Sequence, residues 1–390
     1  MAFPDPHLDP IIGFPTTDED PMIRFLFACT ATLLLLPLGA AAAEVPSSES
    51  APPGGCRYVQ AGPSGPRGNL LLIDRNIGGV GLRREGPAIV VYSFFTENDA
   101  LLDCEGPQAT VHNIDRIVYS PPGGGDPPRI SHQLEVDLRG GGFYPGASPD
   151  HARGGREIEI FADFPPEPHN KWSSIFVTGS DFGDRMAVGA LSRGRTGVNL
   201  DVRRDHRLYD ADLIVSAAPD AHFKLRGGGG DDFFAATGNG PEFEGPIRQS
   251  SLAVLGGDGN DRIYGGPQRD VLDGQTGADS VYGMKGPDRL RGGDGDDRLF
   301  GMEGPDSLSG DDGNDRLFGG DGDDEIAAGF DRGQAFYDSL FGGSGRDFLR
   351  ARDGNTDYIQ CGSELDRASI DAIDEWSRAS CEKQHGPDFD

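Results

Sequence analysis

Residues 256–327 read GGDGNDRIY, GGPQRDVLD, GQTGADSVY, GMKGPDRLR, GGDGDDRLF, GMEGPDSLS, GDDGNDRLF and GGDGDDEIA, eight nine-residue units without a gap. Glycine opens every unit, aspartate stands sixth, and Ile, Leu or Val stands eighth. A short fixed period marks a solenoid, in which each unit buries its apolar residue only by stacking on its neighbours. The eighth-position residues Ile263, Leu272, Val281, Leu290, Leu299, Leu308, Leu317 and Ile326 then form a thin internal core. A glycine-rich disordered tail would not place an aliphatic residue two positions after every aspartate.

The pattern continues on both sides of this block. A single unit, GGGGDDFFA, begins at Gly227, and after a five-residue insertion, AGFDR, the frame is expected to resume at Gly333 and Gly342. Alternate units are the more alike: GMKGPD at Gly283 returns as GMEGPD at Gly301. Eighteen residues therefore make one coil. One edge stacks Asp261, Asp279, Asp297 and Asp315, and the other stacks Asp270, Asp288, Asp306 and Asp324. Coils about 4.8 Å apart bring these carboxylates close enough to repel by roughly 1–3 kcal/mol at effective dielectrics of about 80 to 20. Position nine of one sheet is aromatic, with Tyr264, Tyr282, Phe300, Phe318 and Phe341 beside Arg262, Arg298 and Arg316. This outward ladder reads either as a contact face for a polysaccharide or a cell-surface protein, or as a cross-strand stack that stabilises the sheet.

Composition narrows the function. The chain has 390 residues, 64 Asp and Glu against 35 Lys and Arg, and a formal net charge of −29. Nucleic acid and anionic membrane surfaces are excluded as partners, because both need clustered basic residues. Acid that recurs at fixed spacing between glycines is instead the pattern of a site for hard cations.

The GGxGxDxUx units resemble the RTX (hemolysin-type) calcium-binding family, over Gly227 to about Arg350. The resemblance implies an all-β parallel β-roll, with six residues of each unit forming a turn and three a strand. It implies several Ca2+ ions held by carboxylates and backbone carbonyls, with glycines at positions one, two and four allowing positive φ. The residues so implicated are Asp232, Gly256, Asp258, Gly259, Asp261, Asp270, Asp279, Asp288, Gly292, Asp294, Asp297, Asp306, Gly310, Asp312, Asp315, Gly319, Asp321, Asp324, Asp338 and Asp347. The units at Gly256, Gly292, Gly310 and Gly319 are expected to hold metal best. The unit at Gly265 is weakened by Gln268 and Arg269, those at Gly283 and Gly301 by Pro287 and Pro305, and that at Gly333 by keeping only Gly333, Asp338 and Leu340. Calcium at about ten times a site's dissociation constant would add about 1.4 kcal/mol per site.

Around the array, residues 1–21 read as an upstream extension before the true start at Met22, and residues 22–43 as an export signal. Its apolar run from Phe25 to Leu38 is too short to span a bilayer, and Ala41-Ala42-Ala43 offers a cleavage site. Residues 44–55 are a linker, 56–225 an all-β middle region, 226–350 the roll, and 351–390 a cap and tail. The middle region is expected to be a degenerate solenoid continuous with the array, with a β-sandwich as the alternative. The cap is similar to the closing segment of secreted, actinobacterial-type members, with Ile370, Ile373 and Trp376 covering the last coil. Proximity pairs Cys56 with Cys104 and Cys361 with Cys381, and export to an oxidising, extracellular space allows both bonds.

No HExxH helix and no G-x-S-x-G elbow occurs. The expectation is a non-enzymatic extracellular protein with a structural, adhesion or interaction role and no membrane span after signal removal. The alternative is a polysaccharide lyase or epimerase, with Asp163, His169, Lys171, Asp181 and Asp184 of the middle region as its candidate residues.

Overall fold

The computed structural model describes residues 55–60, 69–73, 79–93, 100–110, 116–120, 133–139, 159–163, 174–191, 195–201, 213–216, 222–238, 245–247, 251–329, 336–376 and 381–383. The export-signal segment and the upstream extension lie outside them. No helix among the described residues is long and apolar enough to cross a membrane.

Burial along the short strands decides the architecture. In Arg262–Tyr264 the central Ile263 is buried, Arg262 is exposed and Tyr264 is half-buried. Strands of this length are not stable alone, so each pairs in parallel with the strand one coil on. Ile263 aligns with Val281, Val281 with Leu299, and Leu299 with Leu317. The intervening units build a second sheet in the same way, aligning Leu272 with Leu290 and Leu290 with Leu308. The core is the file of aliphatic side chains between the two sheets, none more than 2% exposed from Ile263 to Ile326.

The middle region belongs to the same two sheets. Parallel pairing runs from Leu70–Ile73 through Arg116–Tyr119 to Glu159–Asp163 in one. In the other it runs from Gly79–Glu85 through Gln133–Asp137, Ser174–Thr178 and His222–Gly229 into Leu252–Asp258. The described residues thus form the solenoid expected of this region and not a separate sandwich. One departure is an antiparallel meander, Arg185–Leu191, Arg195–Asp201 and Leu213–Ser216, set into the first sheet. Antiparallel strands also close the N-terminal end, Cys56–Val59 on one sheet and Ala88–Ser93 with Ala100–Leu101 on the other. Such strands cover sheet edges that would otherwise invite pairing with other chains. The Cys56–Cys104 disulfide, with Cα atoms 4.7 Å apart, ties this end together.

Coiling also continues past residue 350. Tyr358–Ser363 pairs in parallel with Ser339–Ser344, and Asp366–Ile370 pairs with Phe348–Ala351. Glu375–Trp376 and Cys381–Lys383 add a last partial coil, held by the Cys361–Cys381 disulfide. Ile370 is buried and Trp376 packs against the core, but Ile373 is 53% exposed and does not cover the last coil as expected.

The insertion falls elsewhere than the frame suggested. Ala328 accepts from the Asp311 amide and donates to the Arg350 carbonyl, so it stands at position one, with Gly329 at position two. The additional residues are therefore inside the turn, between Gly329 and Asp338, and not ahead of it. Gly333, which the frame reading put at position one, lies outside the described residues.

Candidate metal centre

Each turn is shaped by backbone conformation first. Wherever position four is glycine from Gly259 to Gly345 its φ lies between +110° and +149°, a region that only glycine enters without cost, while Gln268 in the unit at Gly265 does not take it. Position two also turns positive, at Gly257, Gly293 and Gly320, but equally at Gln275, Met284, Met302 and Asp311. Position one does not, contrary to expectation. Its glycine is required by proximity: a Cβ at Gly292 would collide with Asp297 Oδ2 and with the Gly310 carbonyl of the next coil. The same two oxygens, one carboxylate and one carbonyl, meet at Gly256, Gly274, Gly283, Gly301 and Gly319.

The sixth-position aspartates form two buried columns. In the first, Oδ1 of Asp261, Asp279, Asp297, Asp315, Asp338 and Asp357 each accepts the amide of the preceding column member, beginning with Asp232, at 2.7–2.9 Å. In the second, Asp288, Asp306, Asp324, Asp347 and Asp366 do the same from Asp270 onward, at 2.8–2.9 Å. All of these side chains are 3% exposed or less. Oδ2 is different. In Asp232, Asp261, Asp279, Asp288, Asp297, Asp306, Asp324, Asp347 and Asp366 it is buried with no hydrogen-bond partner among the described residues.

Burial has an electrostatic cost. The carboxyls of Asp232, Asp288 and Asp297 are pushed up to about 8, and those of Asp261, Asp324 and Asp347 to about 7. Loss of water is the largest cause at each, and the neighbouring carboxylates add less. The mutual repulsion expected from the spacing is therefore the smaller effect, because each Oδ1 rests on an amide and the main loss is hydration.

Three turns depart from the pattern. Oδ2 of Asp270 accepts the Gly266 amide at 2.6 Å, Oδ2 of Asp184 the Ser180 amide at 2.6 Å, and Oδ2 of Asp374, which follows Asp357 in the first column, the Asp371 amide at 2.5 Å. Gly266, Ser180 and Asp371 all lack the positive φ that most turns show at position two, as does Arg352 before Asp357. Asp184 precedes Asp232 at the head of the first column, and Asp270 heads the second. Asp270, among the expected ligands, therefore has both oxygens occupied by amides.

The third-position aspartates differ in burial from the columns: Asp258, Asp294 and Asp321 are exposed and Asp312 is half-buried, with Asp258 and Asp321 near enough to raise the carboxyls of Asp261 and Asp324. Sequence reasoning missed Asp357 and Asp366, because the turn before Asp357 is one residue longer and Cys361 replaces the first glycine of the next. It also missed Asp353, whose carboxylate lies with those of Asp338 and Asp357 in a group whose oxygens fall within 4.8 Å of one another.

The family model described as RTX calcium-binding nonapeptide repeat (4 copies) matches residues 255–290, 273–308, 291–326, 300–334 and 332–356. The stretch 255–356 is an RTX calcium-binding array. It makes up about a quarter of the 390-residue chain. A comparison with curated proteins found no match. The RTX turns fit the ion their family binds. Their orphaned Oδ2 atoms and the adjoining position-one carbonyls make an oxygen-only donor set, the kind that hard Ca2+ prefers over softer metals.

Outside the array's turns, the aromatic ladder forms as expected on the first sheet. Tyr264, Tyr282, Phe300, Phe318 and Phe341 stack with ring centroids 4.6–4.9 Å apart and planes within 4° of parallel. Each inner ring has both faces covered by its neighbours.

Proposed function

We propose that this chain is a secreted protein whose roll folds around several calcium ions and serves an extracellular structural, adhesion or interaction role. The observation behind this reading is the row of buried Oδ2 atoms of Asp232, Asp261, Asp279, Asp288, Asp297, Asp306, Asp324 and Asp347, each beside a position-one carbonyl and without a hydrogen-bond partner among the described residues. A cation between successive turns would be held by the sixth-position aspartate and by these carbonyls. The ligands are then Asp232, Asp261, Asp279, Asp288, Asp297, Asp306, Asp315, Asp324, Asp338 and Asp347, with the carbonyls of Gly256, Gly292, Gly310 and Gly319. Two disulfides are compatible with an oxidising extracellular location.

The reading is non-catalytic. Of the candidates for an enzymatic centre, Asp184 is buried and bound to its own turn, Asp181 is exposed, and His169 and Lys171 lie outside the described residues. An external partner, polysaccharide or protein, would meet the aromatic strip. With ring faces consumed in the stack, that strip presents ring edges and the exposed Arg262, Arg298 and Arg316. An anionic partner fits it better than a neutral sugar, which needs an open ring face. Calorimetric titration of the chelator-stripped full chain with Ca2+ tests the calcium reading. Uptake of several ions per chain is expected, and no uptake by the folded protein would overturn it.

A further inference from the structure

The RTX match ends at residue 356, yet the geometry of the turns does not. The next turn of the second column, Cys361-Gly362-Ser363-Glu364-Leu365-Asp366, departs from the family at two of its glycines. Cys361 stands at position one, and Glu364 takes φ +78° at position four. Its backbone nonetheless follows the array, with Gly362 aligned on Gly343. Asp366 is fully buried, and its Oδ1 accepts the Asp347 amide at 2.9 Å. Its Oδ2 is buried without a hydrogen-bond partner among the described residues, as in the turns that match the family.

Cys361 has two attachments. Its main-chain carbonyl takes the place that a glycine carbonyl has in every earlier coil of this column: a Cβ at Gly342 would collide with it and with Asp347 Oδ2. Its sulfur is bonded to Cys381, whose strand pairs with Asp366–Ala368 as the last rung of the sheet. Earlier coils are held on both sides by neighbouring coils. Beyond this one lie only the two short strands of the last partial coil, Glu375–Trp376 and Cys381–Lys383, so the covalent bond adds to the restraint that a full following coil would give.

We propose that a further calcium ion is held between the turns of Asp347 and Asp366, and that the Cys361–Cys381 disulfide sets its affinity by fixing the Cys361 carbonyl. The proposal rests on the calcium reading above, and its test separates the two. The full chain, with disulfides intact, is titrated with Ca2+ alone beside two variants: Asp366→Asn, and the double variant Cys361→Ser/Cys381→Ser, which keeps the carbonyl and removes the bond. Asp366→Asn is expected to bind one ion fewer. The double variant is expected to keep that ion with about tenfold weaker affinity, leaving the remaining ions as in the parent.

Parent stoichiometry in Asp366→Asn overturns the site. Unchanged affinity in the double variant, or equal weakening of every ion, overturns the role of the disulfide. If the double variant does not fold, the Asp366→Asn count alone decides the site, and Leu365→Pro, placed to disturb the same turn with the bond intact, decides the coupling. Selective weakening of one ion there supports positional control, and no change opposes it. Failure of the parent to bind calcium at all would instead remove the underlying reading.

Discussion

Asp297 shows how one side chain divides its work. Oδ1 accepts the Asp279 amide and joins two coils, while Oδ2 faces the Gly310 carbonyl with no donor to balance it. Replacing it with asparagine would keep the first bond and aim an N–H where a cation belongs. Asp297→Asn is therefore expected to lower the calcium count in a titration, whereas Asp270→Asn, whose Oδ2 already takes the Gly266 amide, should leave the count unchanged. Equal loss from both would contradict the distinction. Backbone strain gives a second residue-level prediction. Met302 is 44% exposed and sits at φ +80°, a conformation that costs a non-glycine residue about 1–3 kcal/mol. Met302→Gly should stabilise the calcium-loaded chain by about 1 kcal/mol once glycine's greater unfolded-state entropy is offset. Gly292→Ala should do the opposite, because a methyl group there meets two oxygens, and a loss of about 1–3 kcal/mol is typical of such overpacking. Thermal melting in calcium reads both.

The columns and the ladder behave as units. With carboxyls raised to between about 6 and 8 by dehydration, against 3.8 for the free side chain, the folded columns bind protons more tightly than the unfolded chain does. In the absence of calcium their contribution is thus fully present below about pH 4 and lost as pH rises through about 6 to 8. Chelator-treated protein should gain β structure by circular dichroism when acidified from pH 8 to 5, and a loss over that range would contradict the assignment. The ladder is a packing element. Phe300→Ala breaks two stacked pairs, each worth about 0.5–1.5 kcal/mol beyond simple burial, so a loss of about 1–3 kcal/mol is expected in the melting of the calcium-loaded chain. These elements were the most legible part of the sequence, because a strict period assigns each residue to an edge, a face or the core. What stayed hidden depends on contacts the period does not encode. The φ at position two, which separates Asp270 from Asp288, differs although Gly266 is a better consensus residue than Met284. Ala328 replaces a glycine, so the insertion was put outside the turn that contains it.

At the scale of the molecule, the two sheets run unbroken from the Cys56–Cys104 end to the Cys361–Cys381 end, but their stabilisation is uneven along the length. In the middle region the core includes Phe223, Tyr119 and several leucines, whereas the array offers one aliphatic residue per strand and surrounds it with buried acid. That asymmetry accompanies a sequence with no fixed period over residues 56–225, where only the alternation of short strands marks the coils. It also places the dependence on metal in the array. Thermal unfolding of the full chain at pH 7.5, followed by circular dichroism in millimolar calcium and again in excess EGTA, tests this most directly. The account predicts that chelation removes the β signal of the array or lowers its melting temperature sharply, while magnesium in place of calcium fails to restore it. Superimposable melting curves in calcium and EGTA would contradict it.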